Sequence, residues 1–208
     1  MKLYYADTSN PRKACALARH VNAPVEFVNV DIANGGTHTP DYLALNPNGK
    51  VPVLTEGDKT LWESNAIMCR LSDVTGADLW PHDDRQIEVL RWLFWDAVHF
   101  SRAGGTLYFE HIIKPWILKI PNPDVAAVTE AQAQFRTLAA VLNDHLDGRK
   151  FLVADRLSVA DFAVGIYMPY AARAHIPLNE FPNIIRWHDR LNELPAWREP
   201  FPIAKVAE

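Results

Sequence analysis

Two rhythms of apolar and polar positions divide the chain near residue 80. Before it, apolar runs of strand length at Leu3–Tyr5, Val25–Val30, Val51–Leu54 and Thr60–Trp62 alternate with helical spacing at Pro11–Val21, Asp41–Leu45 and Ser64–Val74. A Gly-rich loop covers Asn34–Thr39, and the acidic turn Glu56-Gly57-Asp58-Lys59 joins the last two strands as a hairpin. Strands separated by helices, then a hairpin and a helix, predict an α/β unit over residues 1–77. The turn-rich stretch from Gly76 to Asp84 reads as a connector, with the linker proper at 78–84. Beyond it, residues 85–208 are helical in pattern. Ile87, Leu90, Arg91, Leu93, Phe94 and Val98 mark one long amphipathic helix, and Val128–Leu146 another. The aromatic cluster Trp92, Phe94, Trp95 and Phe100 reads chiefly as core.

One local signal in the helical half is strong. Ser158-Val159-Ala160-Asp161 precedes an apolar run and fits a capping box, with Ser158 as N-cap and the Asp161 carboxylate reaching back to its N–H. Its role is structural, because a buried helix start must satisfy its first amides.

Composition narrows the function classes. The 208 residues are 49% hydrophobic, enough for a substantial core. A net charge of −4 without a dense basic run argues against a nucleic-acid partner. No apolar run approaches the roughly 18 residues of a membrane span, and Met1-Lys2 leads straight into a strand rather than a signal segment. Cys15 and Cys69 fall in different helices without metal-ligand or CxxC spacing, so Cys15 reads as core, no metal site is expected and a reducing, cytoplasmic setting fits.

Chemistry concentrates between Asn46 and Ile67. Proline cannot donate to a ladder, so Pro52 should open its strand on an exposed side. The Val51–Pro52 bond is a candidate for the cis form, which would turn the Val51 N–H and C=O outward to pair with an extended peptide at a sheet edge. Glu63-Ser64 sits where the next helix begins. That helix start offers free N–H groups and a hydroxyl to a carboxylate, and Glu63 suits an ammonium group. A peptide edge, an anion seat and an acidic clamp point to a small zwitterionic peptide as ligand.

The run Lys50-Val51-Pro52-Val53-Leu54 followed by Trp62-Glu63-Ser64-Asn65-Ala66-Ile67 resembles the glutathione-binding half of the cytosolic glutathione S-transferase family, and the resemblance spans essentially the whole chain. It implies a thioredoxin-like N-terminal domain, a C-terminal helical bundle that forms the electrophile site, and glutathione as co-substrate in detoxification. It also implies a two-fold homodimer, the N-terminal domain of one subunit against the helical domain of the other; Met68, Trp92 and Trp95 read equally as contributors to that interface or as core. Glu63 and Ser64 match the γ-glutamyl site, while Lys50 beside Val51, and His38, match positions that meet the glycine carboxylate. His99, Arg102, Tyr108 and His111 lie along the helix that walls the electrophile site in the family.

Thiolate chemistry falls on Thr8-Ser9-Asn10-Pro11. Pro11 suits a first helical position, which makes Asn10 or Ser9 the N-cap at the positive end of a helix dipole. Lowering a thiol of pKa about 8.5 by two units takes about 2.7 kcal/mol. One hydroxyl bond to the anion supplies roughly 1.5–3 kcal/mol and the dipole roughly 0.3–1, so one well-placed donor is enough. By resemblance the serine-type classes put that donor at Ser9, and the nu class puts it at Thr8 with Asn10. Tyr4 stands near the place of the tyrosine-type residue; in the alternative, Tyr4 or Tyr5 packs in the sheet. A beta-class cysteine would fall at Asn10, so its mixed-disulfide chemistry is not supported. The resulting expectation is a transferase; a glutathione-dependent disulfide reductase or peroxidase, and a non-catalytic binder on the same fold, remain the alternatives.

Overall fold

Strand β1 (Lys2–Tyr5) buries Leu3 and Tyr5 on one side and turns Lys2 and Tyr4 to the other, the period-two alternation of a pleated strand. In this computed structural model, which describes residues 1–202, β1 is an inner strand of a four-stranded sheet. The order is β2-β1-β3-β4, with β2 at Glu26–Asn29, β3 at Val53–Glu56 and β4 at Lys59–Trp62. β1 runs parallel to β2, with Tyr4 opposite Val28, and antiparallel to β3, with Leu3 opposite Leu54. β3 and β4 form the expected hairpin, closing at Glu56 and Lys59.

Helices α1 (Ser9–His20) and α3 (Ser64–Thr75) pack on each other and on the sheet, burying Ala14, Cys15, Leu17, Ile67, Met68 and Leu71. The short α2 (Pro40–Leu45) sets Tyr42 edge-on against Tyr4, with ring centroids 6.2 Å apart. Cys15 is core, as the sequence implies, and burial pushes its thiol pKa well up. Met68 is core too, which removes it as an interface candidate.

The chain groups as Met1–Trp80 with the segment from Asn192 onward, and separately as Pro81–Leu191. An expected helical domain over 85–208 therefore differs at its end: α9 (Pro195–Arg198) packs on α1. Arg12 donates to the Trp197 carbonyl at 2.6 Å, and Arg19 donates to the carbonyls of Glu199 and Phe201. Helical pattern shows that residues 195–198 coil but not where they return. Residues 203–208 of that expected domain lie outside the described residues.

The second unit begins with α4 (Arg85–Trp95) and α5 (Ser101–Tyr108), joined by a π-helical stretch at Asp96–Phe100 and followed by another at Phe109–Leu118. Pro115 lies in the second stretch, where a missing N–H and a ring clash disfavour the ordinary helical bond. α6 (Val125–His145), α7 (Val159–Val164) and α8 (Pro182–Asn192) complete the bundle, and Phe100 stacks on Phe135 at 5.0 Å. The α4 face was expected to bury Ile87, Phe94 and Val98. Instead they are 66%, 65% and 58% exposed, because Val89, Trp92, Leu93, Asp96 and Phe100 occupy the inward face. Both faces carry apolar residues, so periodicity could not choose between them. Phe94 accordingly leaves the predicted core cluster, and Trp92 proves core. The capping box is present: Ser158 caps α7 and its N–H donates to Asp161 at 2.9 Å. Among the described residues, no helix is long and apolar enough to cross a membrane.

Candidate functional site

Three segments of the first unit line a cavity of about 180 Å³: Asn10 at the start of α1; Asn46, Asn48, Lys50, Val51 and Pro52 between α2 and β3; and Glu63 with Ser64 at the start of α3. Each arrives for a local reason. Thr8 is extended (φ −139°, ψ 170°) and is the N-cap of α1, so Ser9 and Asn10 already lie inside the helix. This corrects the expected N-cap, Ser9 or Asn10, and puts Pro11 third in the helix rather than first. Proline fits there because the first amides of a helix have no intrahelical acceptor in any case. Ser9 and Thr8 do not line the cavity: Ser9 is buried, and Thr8 donates its N–H to Ala6 at 2.7 Å.

The Val51–Pro52 bond is cis. Pro52 precedes β3 and is buried, where it was expected to open the strand on an exposed side. β3 pairs on both sides, so Val51 lies at a strand's end and not along an open sheet edge. The loop before it is tightly held. Asn46, buried, donates through Nδ2 to the Lys50 carbonyl at 2.7 Å and accepts from the N–H and Nδ2 of Asn48, each at 3.0 Å. The Tyr42 hydroxyl donates to the same carbonyl at 2.9 Å. Gly49, at φ +61°, has His38 so close that an added Cβ would stand 3.0 Å from its ring. His38 is thus seated against the loop, and it does not line the cavity.

Glu63 and Ser64 stand where the hairpin turns into α3. Glu63 has φ 71° and ψ 111° and makes no capping bond to its own helix. A non-glycine residue held there costs about 1–3 kcal/mol, a strain typical of functional sites. Its carboxylate is therefore not used up locally, while the first amides of α3 lack intrahelical acceptors. Ser64 is buried, and its hydroxyl donates to Asn10 Oδ1 at 3.5 Å, linking the two helix starts. One cation, one anion and the positive ends of two helix dipoles thus surround a small polar cavity.

The remaining candidates separate. Tyr4 lines a different cavity of about 370 Å³ with Tyr42, Val28 and Asp31. In the helical unit, His99 and Arg102 share a cavity of about 320 Å³ with Val98 and Leu138. Tyr108 is buried against Tyr170, and His111 lies against the ring of His175; burial first, and then the neighbouring His175, lower its pKa. The four were expected to make one mixed pocket. Successive π-helical turns shift their direction, which a regular 3.6-residue reading does not register. Sequence reasoning missed the roles of Tyr42, Asn46 and Asn48. The signal was available in Asn46-Pro47-Asn48-Gly49, a turn composition whose amides bond nearby backbone.

The family model for the glutathione S-transferase N-terminal domain matches residues 1–71, and that for the C-terminal domain matches 106–195. A probable glutathione S-transferase, GSTF2, of Oryza sativa subsp. japonica is 31% identical over 205 residues, covering 94% of this chain and 93% of its own. The disulfide-bond oxidoreductase YfcG of Escherichia coli is 27% identical, covering 93% of this chain and 91% of its own. The crystal structure of glutathione transferase F7 from Populus trichocarpa superposes with a TM-score of 0.88 at 24% identity, covering 96% of each chain, and shares the fold.

Proposed function

This chain belongs to the glutathione S-transferase family, and from that premise we propose that it is a glutathione transferase acting on a small, largely apolar electrophile. The reading is carried by one observation: Lys50, Val51, Pro52, Glu63, Ser64 and Asn10 line a single polar cavity. In this reading the first unit binds glutathione and the second, Pro81–Leu191, shapes the electrophile's pocket. Glu63 takes the ammonium of the γ-glutamyl group, and Ser64 with the first amides of α3 takes its carboxylate. Val51 pairs with the cysteinyl backbone and Lys50 with the glycine carboxylate, and His38, seated against the same loop at Gly49, is assigned to that carboxylate as well. One donor group at the start of α1 holds the thiolate: Asn10, which lines the cavity, together with Thr8 in the nu-like arrangement, or Ser9 in the serine-type one. The thiol proton leaves to solvent. The sulfur lone pair then forms the new carbon–sulfur bond while the electrophile's leaving group departs with its electron pair.

Because Ser64 donates to Asn10 Oδ1, the Asn10 amide N–H₂ is left for the sulfur. Asn10→Ala is therefore expected to bind glutathione nearly as the parent does but to raise the bound thiol's pKa by about one unit, some 1.4 kcal/mol. The loss falls on the chemical step, and ultraviolet absorbance of the bound thiolate against pH measures it. If Ser9→Ala shifts the curve and Asn10→Ala does not, the donor is the serine.

The second reading is a glutathione-dependent disulfide reductase or peroxidase. It is favoured by Asn10 in the cavity and by the likeness to a disulfide-bond oxidoreductase. Turnover of an aryl halide against turnover of a small disulfide separates the two. Retention on immobilised glutathione without either turnover would leave a non-catalytic binder.

We also infer a homodimer. The exposed Ile87 and Phe94 of α4, with Val98 in the π-helical stretch after it, form an apolar stripe of the kind that marks an association surface. Light scattering at micromolar concentration should give twice the chain mass of 23.5 kDa; the single-chain mass would overturn it. Two free cysteines, Cys15 and Cys69, go with the proposed cytoplasmic setting.

A further inference from the structure

We propose that Tyr42 and Asn46 are positioning residues for the peptide-binding loop: together they clamp the Lys50 carbonyl and so set where Lys50 and Val51 meet the ligand. This rests on the glutathione-binding reading above and deepens it. Two donors converge on one oxygen, the Tyr42 hydroxyl at 2.9 Å and Asn46 Nδ2 at 2.7 Å. Both residues are buried, at 5% and 3% exposure, so neither bond competes freely with water. Asn46 is itself held, its Oδ1 accepting twice from Asn48, which fixes the amide so that Nδ2 faces Lys50. Its carbonyl accepts from the Gly49 N–H at 2.9 Å, closing the turn that precedes Lys50.

The peptide plane that carries the Lys50 carbonyl also carries the Val51 N–H. Fixing the oxygen therefore fixes the direction of that N–H, the group assigned to the cysteinyl backbone. The same clamp sets the root from which the Lys50 side chain reaches the glycine carboxylate. Tyr42 serves as a permanent donor, since burial, with Tyr4 adding to it, pushes its phenol further from ionisation. The ring cannot swing away, because it is packed edge-on against Tyr4 in the cluster with Val30 and Val53. Neither Tyr42 nor Asn46 is assigned a contact with the reacting sulfur. Their effect should thus appear in ligand binding and not in the chemical step.

The experiment measures S-methylglutathione affinity by calorimetry and steady-state kinetics of the full chain in Tyr42→Phe, Asn46→Ala, Lys50→Ala and Glu63→Gln. Tyr42→Phe removes one hydroxyl and keeps the ring, so its fold should survive. It is expected to raise Kd and KM for the peptide about fivefold, with kcat at saturation within about twofold of the parent. Combined with Lys50→Ala, its effect should be less than multiplicative, because both act through the same residue; combined with Glu63→Gln it should multiply, since that carboxylate lies on another segment. Unchanged affinity in Tyr42→Phe, or equal losses in affinity and kcat, would overturn the proposal. So would a multiplicative effect with Lys50→Ala. If the parent itself fails to bind S-methylglutathione, the functional reading falls first and this one with it. Parent binding with an indifferent Tyr42→Phe removes the clamp alone.

Discussion

Asp161→Ala is expected to destabilise the helical unit by about 3–5 kcal/mol, lowering the thermal midpoint by about 10 °C. The Asp161 carboxylate is fully buried and accepts from the N–H groups of Leu152 and Ser158, the Ser158 hydroxyl and Trp187 Nε1, all between 2.9 and 3.1 Å. Removing it strands those buried donors in three different parts of the unit: the loop at Leu152, the start of α7 and the face of α8. Burial pushes the Asp161 carboxyl up to about 6, outweighing the donors that favour the anion. Its folded pKa thus stands above that of the unfolded chain. The corresponding stabilisation is complete below about pH 4 and is lost as the pH rises through about 6. Asp161→Asn lacks that titration. The stability difference between the parent and Asp161→Asn should therefore shrink from about pH 4 to about pH 7, and a difference flat across that window would contradict the assignment. Denaturant titration at several pH values provides the measurement.

Glu63→Ala and Ser64→Ala should each weaken glutathione binding by about 1.5–3 kcal/mol, roughly ten- to a hundredfold, because each removes a charge-assisted partner. The unfolding temperature should hardly move. A sharper form uses the backbone: Glu63 sits at φ 71°, where glycine suffers no Cβ clash. Glu63→Gly is thus expected to lose the same binding while gaining thermal stability, so that function and fold respond in opposite directions. Calorimetry that finds unchanged affinity in both alanine variants removes the γ-glutamyl assignment.

Within the first unit, the residues that make the sheet and the start of α3 are legible from sequence because their signals are local. Alternation places Leu3 and Tyr5 on one side of β1, and the Glu56–Lys59 turn closes the hairpin that the flanking apolar runs announce. Glu63-Ser64 was legible for the same reason: a hairpin that ends in a helix exposes amides at a fixed place. The capping box at Ser158 is local as well, and it formed as read.

What remained hidden depends on partners distant in the chain or on shifts in helical period. Ile87, Phe94 and Val98 have the same apolar character as Val89, Trp92 and Phe100, and only the bundle's packing decided which set turned inward. His99 and Arg102 line one cavity while Tyr108 and His111 pack against other rings, and the π-helical stretches at Asp96–Phe100 and Phe109–Leu118 break the regular period that would have been needed to foresee it. The return of α9 to α1 rests on arginine bonds spanning some 180 positions, with no local trace. At the site, the sequence by itself determined which residue types were available: an acid, a hydroxyl, a lysine and a cis-compatible proline in one short stretch. Tertiary structure alone decided that Asn10 rather than Ser9 lines the cavity, and that Tyr42 and Asn46 grip one carbonyl. Local signals act through backbone dihedrals and neighbouring amides, whereas a cavity exists only once separate helix starts are packed side by side.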